Sequence, residues 1–465
     1  TSFLWVLLMA AGHKAGFETP WFSQAFSIAC AALLVVAVAL FSKSFFRDLP
    51  FPLLSYLAPL LLALNPLYVE HIGTGLETVL FALFMFLSLA SYLNHTLNSR
   101  LPYLTGLLLG LGYLTRPEAV IWVSGFIAAD LLWAFMKKGE LSERIPDIAK
   151  YTGTFLLMAG LHQIWRVSYY GDWLPNTYYA KGITNWSWGI FYTRHYLLSA
   201  GFLPLIITVP MLLLLRKKWV LCMSVIIAGT LIHNLRIGGD YIFTGRFLYA
   251  LLPLICLLVQ EFIRISLKKT RLVDDIPVNK RLFWEAARAA MLILFLLGAA
   301  RAWKFARIGA AFSRGINEVN MRLAECIQQN TRPGDTVAVI AAGMLPYYSE
   351  RASLDMLGLT DRHIAHEGLV DRRCTIGHQR ADSDYVLDRK PEVVLVLPPA
   401  DTLRLITPPL YLHIAANHYL LKNPRFRELY RECDVGREIY PYRIYRVREH
   451  TEKSVFLSRL ATRKT

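Results

Sequence analysis

Long apolar runs fill the first 300 residues of this chain and limit what it can fold into. A helix needs roughly 20 mainly apolar residues to cross a bilayer, and such runs here predict a polytopic α-helical membrane domain with about ten spans. The composition agrees, because the chain is 55% hydrophobic with a mean hydropathy of +0.37. The predicted spans are 22–42, 51–66, 75–94, 103–115, 118–136, 151–168, 191–215, 219–235, 246–263 and 283–303, after an amphipathic or partly embedded helix at 3–14.

The loops between these spans alternate in charge. One set is rich in Lys and Arg, as at Lys137 and Lys138 or at 216–218, and the positive-inside rule makes it cytoplasmic. The other set is then extracytoplasmic, as is the region after the last span. The net charge of +16 is concentrated in short loops beside apolar segments. This is typical of anchoring at an anionic bilayer surface, so the lipid bilayer, and not nucleic acid, is the expected partner.

The first residue also bears on topology. On this arrangement the chain begins on the extracytoplasmic side, yet Thr1 is not a methionine and no signal peptide is recognisable. A polytopic protein without a signal peptide usually needs an earlier span to place its start outside. We therefore expect an N-terminal piece with at least one span and one loop before Thr1.

The sequence changes character after the last span, which predicts two domains, 1–308 in the membrane and 309–465 as a soluble α/β domain. Buried-strand patterns stand at 335–340 and 391–397, and 315–331 fits an amphipathic helix. A closing hairpin is predicted from 437–440 and 442–447. We expect a small α/β sandwich. Gly343 is not part of a GxGxxG fingerprint, so nucleotide binding is not expected.

Four polar motifs interrupt the apolar sequence, and the predicted topology puts all four on the extracytoplasmic face. Charged residues at membrane depth are costly and usually mark function. Four hydrophobic hairpins that deliver polar groups to one face therefore predict an active site. The motifs are Gly-Leu-Glu-Thr at 75–78, Arg-Pro-Glu at 116–118, Tyr-Tyr-Gly-Asp-Trp-Leu-Pro-Asn-Thr-Tyr-Tyr-Ala-Lys at 169–181 and Gly-Gly-Asp-Tyr-Ile-Phe-Thr-Gly-Arg at 238–246.

Glu77 and Arg116 have structural alternatives to a role with substrate. Glu77 stands at the start of a span, where the helix dipole favours a carboxylate and Thr74 is a candidate cap. A substrate role and this helix-terminal role are both open. Arg116 could pair with Glu118 or Glu77, or it could hold an anionic ligand. We favour a ligand-binding or site-scaffold role for Arg116.

The loop at 169–181 combines aromatic and polar residues. Tyr and Trp at this position are typical of an interfacial aromatic belt, but a belt does not require Asp172, Asn176 and Lys181 at a proline-bent turn. Aromatic faces such as that of Tyr170 suit the apolar faces of sugar rings, while amide and carboxylate groups suit the hydroxyls. Lys181 is a candidate ligand for a phosphate.

The last motif supplies a carboxylate and a guanidinium group. Asp240 is the best candidate in the chain for contact with sugar hydroxyls, and its alternative is a partner for Arg236 or Arg246. Arg246 can bind a phosphate through two N–H groups. Gly238 and Gly239 let the backbone approach a ligand closely. No histidines have the spacing of a zinc site, so no metal is expected.

Together the motifs offer basic groups for a phosphate, aromatic rings for a sugar and membrane depth for a lipid tail, which matches a polyprenyl-phosphate sugar donor. They resemble the bacterial GT-C membrane glycosyltransferases, and most closely the terminal β-(1→2)-arabinofuranosyltransferases of mycobacterial cell-wall synthesis. The resemblance rests on the four motifs, on Thr1-Ser-Phe-Leu-Trp5, and on Gly343-x-x-Pro-Tyr-Tyr and Asp355-x-x-Gly-Leu-x-Asp361 in the C-terminal domain.

The resemblance implies inverting, metal-independent transfer without a cofactor at the bacterial plasma membrane. The implied donor is decaprenyl-phosphate arabinofuranose, and the acceptor is a periplasmic glycan or glycoprotein. In this family the Thr-Ser-x-Leu-Trp stretch follows an extracytoplasmic loop with an Asp-Asp pair, so the resemblance puts the catalytic base before Thr1. Other readings stay open: a mannosyl- or aminoarabinosyl-type transferase of the same fold, a flippase for a lipid-linked glycan, or an inactive glycan-binding protein.

Overall fold

The structure is a computed structural model that describes most of the chain. It divides into two compact units. The first, called the membrane unit below, comprises Thr1–Trp173 and Trp186–Arg307; the second, called the C-terminal unit, comprises Leu174–Asn185 and Ile308–Thr465. The described residues are 2–45, 52–95, 100–137, 141–181, 184–199, 205–213, 217–239, 245–271, 278–397, 414–433 and 442–448.

The membrane unit is built from α-helices and two short 3-10 helices, Pro52–Tyr56 and Tyr249–Leu251. The first eight helices are α1 (Phe3–Lys14), α2 (Thr19–Phe45), α3 (Leu57–Ala63), α4 (Pro66–Ile72), α5 (Thr78–Leu93), α6 (Leu101–Thr115), α7 (Ala119–Lys137) and α8 (Leu141–Tyr170). Helix α9 (Asn176–Lys181) belongs to the C-terminal unit. There follow α10 (Trp186–Ser199), α11 (Leu205–Leu213), α12 (Lys218–Ile237), α13 (Leu252–Arg271) and α14 (Val278–Asn330), which continues into the C-terminal unit.

Five of the described helices are long and apolar enough to cross a membrane, or six if a bent pair is one span. The five are Thr19–Phe45, Ala119–Lys137, Lys218–Ile237, Tyr249–Lys269 and Arg281–Lys304; the pair is Leu53–Ala63 with Pro66–Ile72, bent by 60°. A helical membrane domain is therefore present, but the predicted ten spans are not reached within the described ranges. The difference arises because runs such as Thr78–Leu93 and Leu101–Thr115 form shorter helices.

Helices α6 and α8 pack closely because α6 has glycines where it meets α8. A Cβ atom on Gly106 would overlap the carbonyl oxygen of Tyr151, and one on Gly110 would lie 2.5 Å from Sδ of Met158. Residues four apart share one face of a helix, and small residues so placed let membrane helices approach closely. This Gly-x-x-x-Gly spacing therefore fixes the separation of α6 and α8.

Two buried polar side chains of the membrane unit, Gln260 and Asp130, are bonded to neighbouring helices. The amide of Gln260 donates to Ser42 Oγ at 2.6 Å and accepts from the backbone N–H of Ala58 at 2.9 Å. Asp130, which is 3% exposed, forms an ion pair with Lys218 and accepts a hydrogen bond from the Tyr151 hydroxyl at 3.3 Å. Because an unpaired polar group is costly to bury, these contacts join neighbouring helices.

The C-terminal unit combines a five-stranded mixed sheet with short helices. Its strands are β1 (Thr336–Val339), β2 (Ala352–Asp355), β3 (Leu369–Val370), β4 (Arg380–Ala381), β5 (Val393–Val396), β6 (Tyr430–Cys433) and β7 (Arg443–Val447). Its remaining helices are α15 (Met344–Ser349), α16 (Arg362–Glu367), α17 (Ser383–Asp388), α18 (Ala415–Lys422) and α19 (Pro424–Leu429). The strand order is β2-β1-β5-β7-β6, with β2, β1 and β5 parallel and β7 antiparallel to both neighbours.

Strand β5 is buried on both faces, and for this reason its apolar run predicted a strand. All four of its residues are buried, because one face packs on the end of α14 near Leu323 and Ile327 and the other on a second apolar cluster near Ile364. The predicted strands at 335–340 and 391–397 are confirmed as β1 and β5. The predicted closing hairpin is different, since β7 pairs with β6 at 430–433; residues 437–440 lie outside the described residues.

A separate segment, 174–185, groups with the C-terminal unit, although α8 before it and α10 after it belong to the membrane unit. The sequence predicted one boundary at 308/309 and placed this segment in the membrane domain. The structure groups it by contacts with the C-terminal unit, where Asn176 donates to Gly358 and Tyr179 packs against His366. The second unit otherwise begins at Ile308, within α14.

Candidate functional site

Arg116 stands at the centre of a charged cluster in the membrane unit. It directly follows α6, and its side chain is 8% exposed. Its Nη1 donates to Glu77 Oε1 at 3.1 Å and its Nη2 to Glu118 Oε1 at 2.7 Å. Glu77 directly precedes α5, while Thr74 donates its hydroxyl to the carbonyl of His71 and does not cap that helix. Both carboxylates that the sequence offered as alternative partners therefore bind the same guanidinium.

Arg246 and Arg116 contact the same aromatic ring, that of Phe247. The guanidinium carbon of Arg116 lies 4.9 Å from the ring centroid of Phe247, and that of Arg246 lies 5.4 Å from the same centroid. The quadrupole of the ring attracts each of these cations. Two of the four polar motifs, 75–78 and 116–118, thus meet the end of the fourth motif within the membrane unit. Phe247 had no distinguishing signal in the sequence beyond its place next to Arg246.

The segment that carries Arg246 is held by aromatic contacts. Tyr249 stacks on Tyr68 with centroids 5.6 Å apart and meets the edge of the His71 ring at 5.1 Å. Gly245 has a positive φ of 64°, and a Cβ there would overlap the ring of Tyr196. Only glycine fits both conditions. The close approach that glycine permits at this position is therefore to a tyrosine ring.

Gly239 makes a similar contact, since a Cβ there would overlap the ring of Tyr192. The glycines of the fourth motif were predicted to admit a ligand, and the structure instead puts a tyrosine of α10 against Gly239. Asp240, the predicted sugar-binding carboxylate, lies outside the described residues. Its role stays a prediction.

A small cavity borders the charged cluster. It measures about 10 Å³, close to the space of one water molecule. Its polar lining comes from Glu118, Thr230, His233 and Asn234, and Phe247 also borders it. The cavity lies between α12 and the Arg116 cluster. The sequence did not predict that these two parts are neighbours. In the part of the chain that the structure describes, no three His, Cys, Asp or Glu side chains come together as metal ligands could.

The third motif is divided between the units. Tyr170 ends α8 and is 58% exposed, with its ring edge-on to Tyr169 at 4.7 Å and to Trp165 at 5.8 Å. Asp172 follows in the same unit and is partly exposed. Trp173, the last residue before the boundary, is 70% exposed. These residues form an exposed aromatic surface at the end of α8, which fits either a sugar platform or an interfacial belt.

Asn176 and Lys181 stand on the other side of that boundary, at the two ends of α9. The Asn176 amide donates to the carbonyl of Gly358 at 2.7 Å, so its nitrogen is occupied by protein. The predicted contact of Asn176 with the sugar stays a prediction. The Lys181 side chain runs beside Gly377, where a Cβ would lie 3.4 Å from Lys181 Cε.

The fold is similar to those of solved glycosyltransferases. The crystal structure of ArnT from Cupriavidus metallidurans bound to undecaprenyl phosphate has a TM-score of 0.53 and 13% identity, over 86% of this chain and 83% of ArnT. The oligosaccharyltransferase of Archaeoglobus fulgidus, tethered with an acceptor peptide containing the NVT sequon, has a TM-score of 0.52 and 12% identity over 86% of this chain. The aligned part is 61% of that protein.

A third structure, AglB from Archaeoglobus fulgidus in complex with an inhibitory peptide and a dolichol-phosphate, has a TM-score of 0.50 and 11% identity, over 85% of this chain and 61% of AglB. These neighbours define the class: a GT-C type fold, with a helical membrane domain and a C-terminal domain. Identities this low are evidence for the fold, and they do not distinguish an arabinofuranosyltransferase subgroup.

The C-terminal unit has its own similarity. Residues 312–445 match a family model described as a domain of unknown function, DUF8728. No curated protein matches this sequence. The matched region begins within α14 and ends within β7, so it covers nearly the whole described sheet domain.

Proposed function

We propose that this protein transfers a sugar from a polyprenyl-phosphate donor to a glycan or glycoprotein of the bacterial cell envelope, on the extracytoplasmic face of the plasma membrane. Arabinofuranose is the proposed sugar, and the transfer is proposed to invert the anomeric centre. The observation that carries the proposal is the meeting of Arg116 and Arg246 on Phe247 inside a GT-C type fold.

The structural neighbours support a lipid-phosphate donor. ArnT was solved with undecaprenyl phosphate, and AglB with a dolichol-phosphate and a peptide. Both lipids consist of a polyprenyl-type chain that ends in a phosphate. A donor of this kind needs a cation where the phosphate leaves and apolar depth for its tail. The membrane unit offers both.

In the proposed reaction the acceptor hydroxyl oxygen forms a bond to the anomeric carbon, and the bond from that carbon to the phosphate oxygen breaks. Polyprenyl phosphate leaves with the electron pair, and the hydroxyl proton passes to a base outside the Arg116 cluster. Negative charge therefore develops on the leaving phosphate. Arg246 is the proposed stabiliser, because a guanidinium can donate two charge-assisted N–H bonds to a phosphate.

Arg116 is assigned a scaffold role in this proposal. Its charge is met by Glu77 and Glu118, so a second anion would have to displace a carboxylate. Its guanidinium instead supports the face of Phe247 and with it the position of Arg246. Lys181 is the proposed second phosphate ligand.

Three further residues of the predicted site are proposed to contact the sugar. Tyr170 supplies an aromatic face for the ring, while Asp172 and Asp240 accept hydrogen bonds from sugar hydroxyls. These assignments follow from the chemistry of the side chains in the third and fourth motifs.

We expect Arg246→Ala to lower the turnover of the full-length protein by roughly 10²-fold or more, the usual loss when one transition-state donor is removed. The measurement is the initial rate of polyprenyl-phosphate release in lipid nanodiscs. Arg194→Ala is the matched control, since Arg194 is an exposed arginine of the same unit on α10. Equal rates for Arg246→Ala and the control would remove Arg246 from the site.

A further inference from the structure

Helix α9 is connected to the membrane unit at both ends but is packed in the C-terminal unit. The chain passes between the units after Trp173, after Asn185 and after Arg307. Segment 174–185 is thus a second covalent link between them, besides α14. The contacts that hold this segment in the C-terminal unit therefore determine where α9 lies within that unit.

Asn176 binds segment 174–185 to one turn of the C-terminal unit. The hydrogen bonds that it makes there are called the clasp below. Its Nδ2 donates to the carbonyl oxygens of Gly358, Leu359 and Asp361, at 2.7, 3.2 and 3.2 Å. An amide group has two N–H bonds, so the two longer contacts share one hydrogen or compete for it. A side chain that meets three carbonyl acceptors of one turn recognises the backbone of that turn.

The turn that binds Asn176 is held in its conformation by contacts of its own. The buried carboxylate of Asp355 accepts from the backbone N–H of Leu357 at 3.0 Å and of Thr360 at 2.8 Å. Burial raises the pKa of Asp355, against the opposing effect of these hydrogen bonds. Gly358 has a φ of 77°, and a Cβ there would lie 2.7 Å from the backbone N of Ala365. The conformation and the space both require glycine.

The contact of Asn176 with this turn links two motifs that are far apart in the sequence. The run at 169–181 contains Asn176, and the pattern Asp355-x-x-Gly-Leu-x-Asp361 contains its receptor. Asp361 also caps α16, since its Oδ1 accepts from the backbone N–H of Ile364 at 3.0 Å. The receptor turn is therefore fixed on both sides of the carbonyls that Asn176 binds.

A second set of contacts holds the other end of α9. The Tyr179 ring lies on the His366 ring, with centroids 4.0 Å apart. Arg380 donates through Nη2 to the carbonyl of Tyr179 at 3.2 Å and through Nη1 to that of Gly368 at 2.7 Å. Ala180 is 1% exposed. Lys181 follows directly, with its stem beside Gly377.

We propose that Asn176 is a positioning residue, which clasps α9 to the turn 355–361, and that the C-terminal unit thereby sets the position of Lys181. The segment that binds the turn is thus 174–181 of the same chain. The further statement that Lys181 then meets the donor phosphate rests on the proposed function. The clasp itself does not.

Hydrogen–deuterium exchange of the full-length protein tests the clasp. In Asn176→Ala we expect the amides of α9 to exchange at least about tenfold faster, because local opening no longer breaks the clasp hydrogen bonds. The amides of β1 and β5 should exchange as in the wild type. Thr177→Ala is the control on the same helix, since its side chain makes no hydrogen bond to any residue the structure describes. Unchanged exchange of α9 in Asn176→Ala would overturn the proposal.

If Asn176→Ala also accelerates exchange in β1 and β5, the milder Asn176→Ser decides by the same comparison. Its hydroxyl keeps one donor where the amide has two, so α9 should open with the sheet intact. Wild-type exchange of α9 in this variant would contradict the clasp.

Enzyme kinetics test the link to Lys181. We expect Asn176→Ala to raise the donor KM at least about fivefold with kcat nearly unchanged, and the double variant with Lys181→Ala to match Lys181→Ala alone. Independent, multiplicative effects would refute positioning through Lys181. If the wild type transfers no sugar, the proposed function fails, whereas the exchange result still decides the clasp.

Discussion

Replacing Arg116 with methionine should destabilise the membrane unit by about 3–5 kcal/mol, the usual cost of removing one partner from a buried ion pair. The arginine, Glu77 and Glu118 side chains are 8%, 14% and 19% exposed. Without the guanidinium, two carboxylates remain close together with little water. Methionine keeps the apolar stem beside Phe81 and Phe247, so the loss comes mainly from charge.

The measurement is the thermal unfolding temperature of each variant in the same detergent, and it includes variants in which Glu77 and Glu118 are also substituted. Adding Glu77→Gln and Glu118→Gln to the Arg116→Met variant should recover more than half of the lost stability, because the uncompensated charges are gone. Arg194→Met is the control for loss of an arginine on an exposed surface. A triple variant as unstable as Arg116→Met alone would contradict the charge argument.

Gly106→Leu should also destabilise the membrane unit strongly, by at least about 2 kcal/mol, since overpacking a close contact forces backbone to move. Even the first side-chain carbon would overlap the carbonyl oxygen of Tyr151, which belongs to the backbone of α8 and cannot rotate away. The helices α6 and α8 would have to separate.

Gly153→Leu is the matched control, because Gly153 is on α8 and a Cβ there meets no atom within 4 Å. This substitution should stabilise the protein slightly, by roughly 0.5–1 kcal/mol, since leucine is a better helix former than glycine. The two variants are compared by their unfolding temperatures. Similar changes in both would show that α6 and α8 are not in close contact at Gly106.

Contacts between residues close together in the sequence are the ones that the sequence predicts best. Arg116 and Glu118 are two positions apart, and their pairing was one of the stated alternatives. β5 was readable because both of its faces are buried and the run is apolar. In these places one short stretch of sequence contains all the relevant chemistry.

Contacts between distant segments were not predictable in the same way. Phe247 meets Arg116 only because the chain returns to the end of α6 after many helices. Asn176 binds backbone carbonyls of the turn at 358–361, and carbonyls give no signal in a sequence. The sequence therefore predicted segment 174–185 to be part of the membrane domain.

The predicted number of spans is not confirmed within the described residues, for a related reason. Apolar residues that pack inside a helical unit look the same in a sequence as residues that face lipid. Helix α5 has 16 residues, most of them buried, and is shorter than a full span. Hydropathy alone cannot separate these two environments.

The most direct test of the proposed function follows the donor itself. The full-length protein in lipid vesicles is supplied with polyprenyl-phosphate arabinofuranose labelled in the sugar, together with a cell-envelope glycan and a metal chelator. The account predicts labelled glycan with an inverted anomeric linkage, and an equal amount of free polyprenyl phosphate. Intact donor that crosses the bilayer without cleavage would contradict transfer and identify a flippase, and transfer of a hexose in preference to the pentose would contradict arabinofuranose.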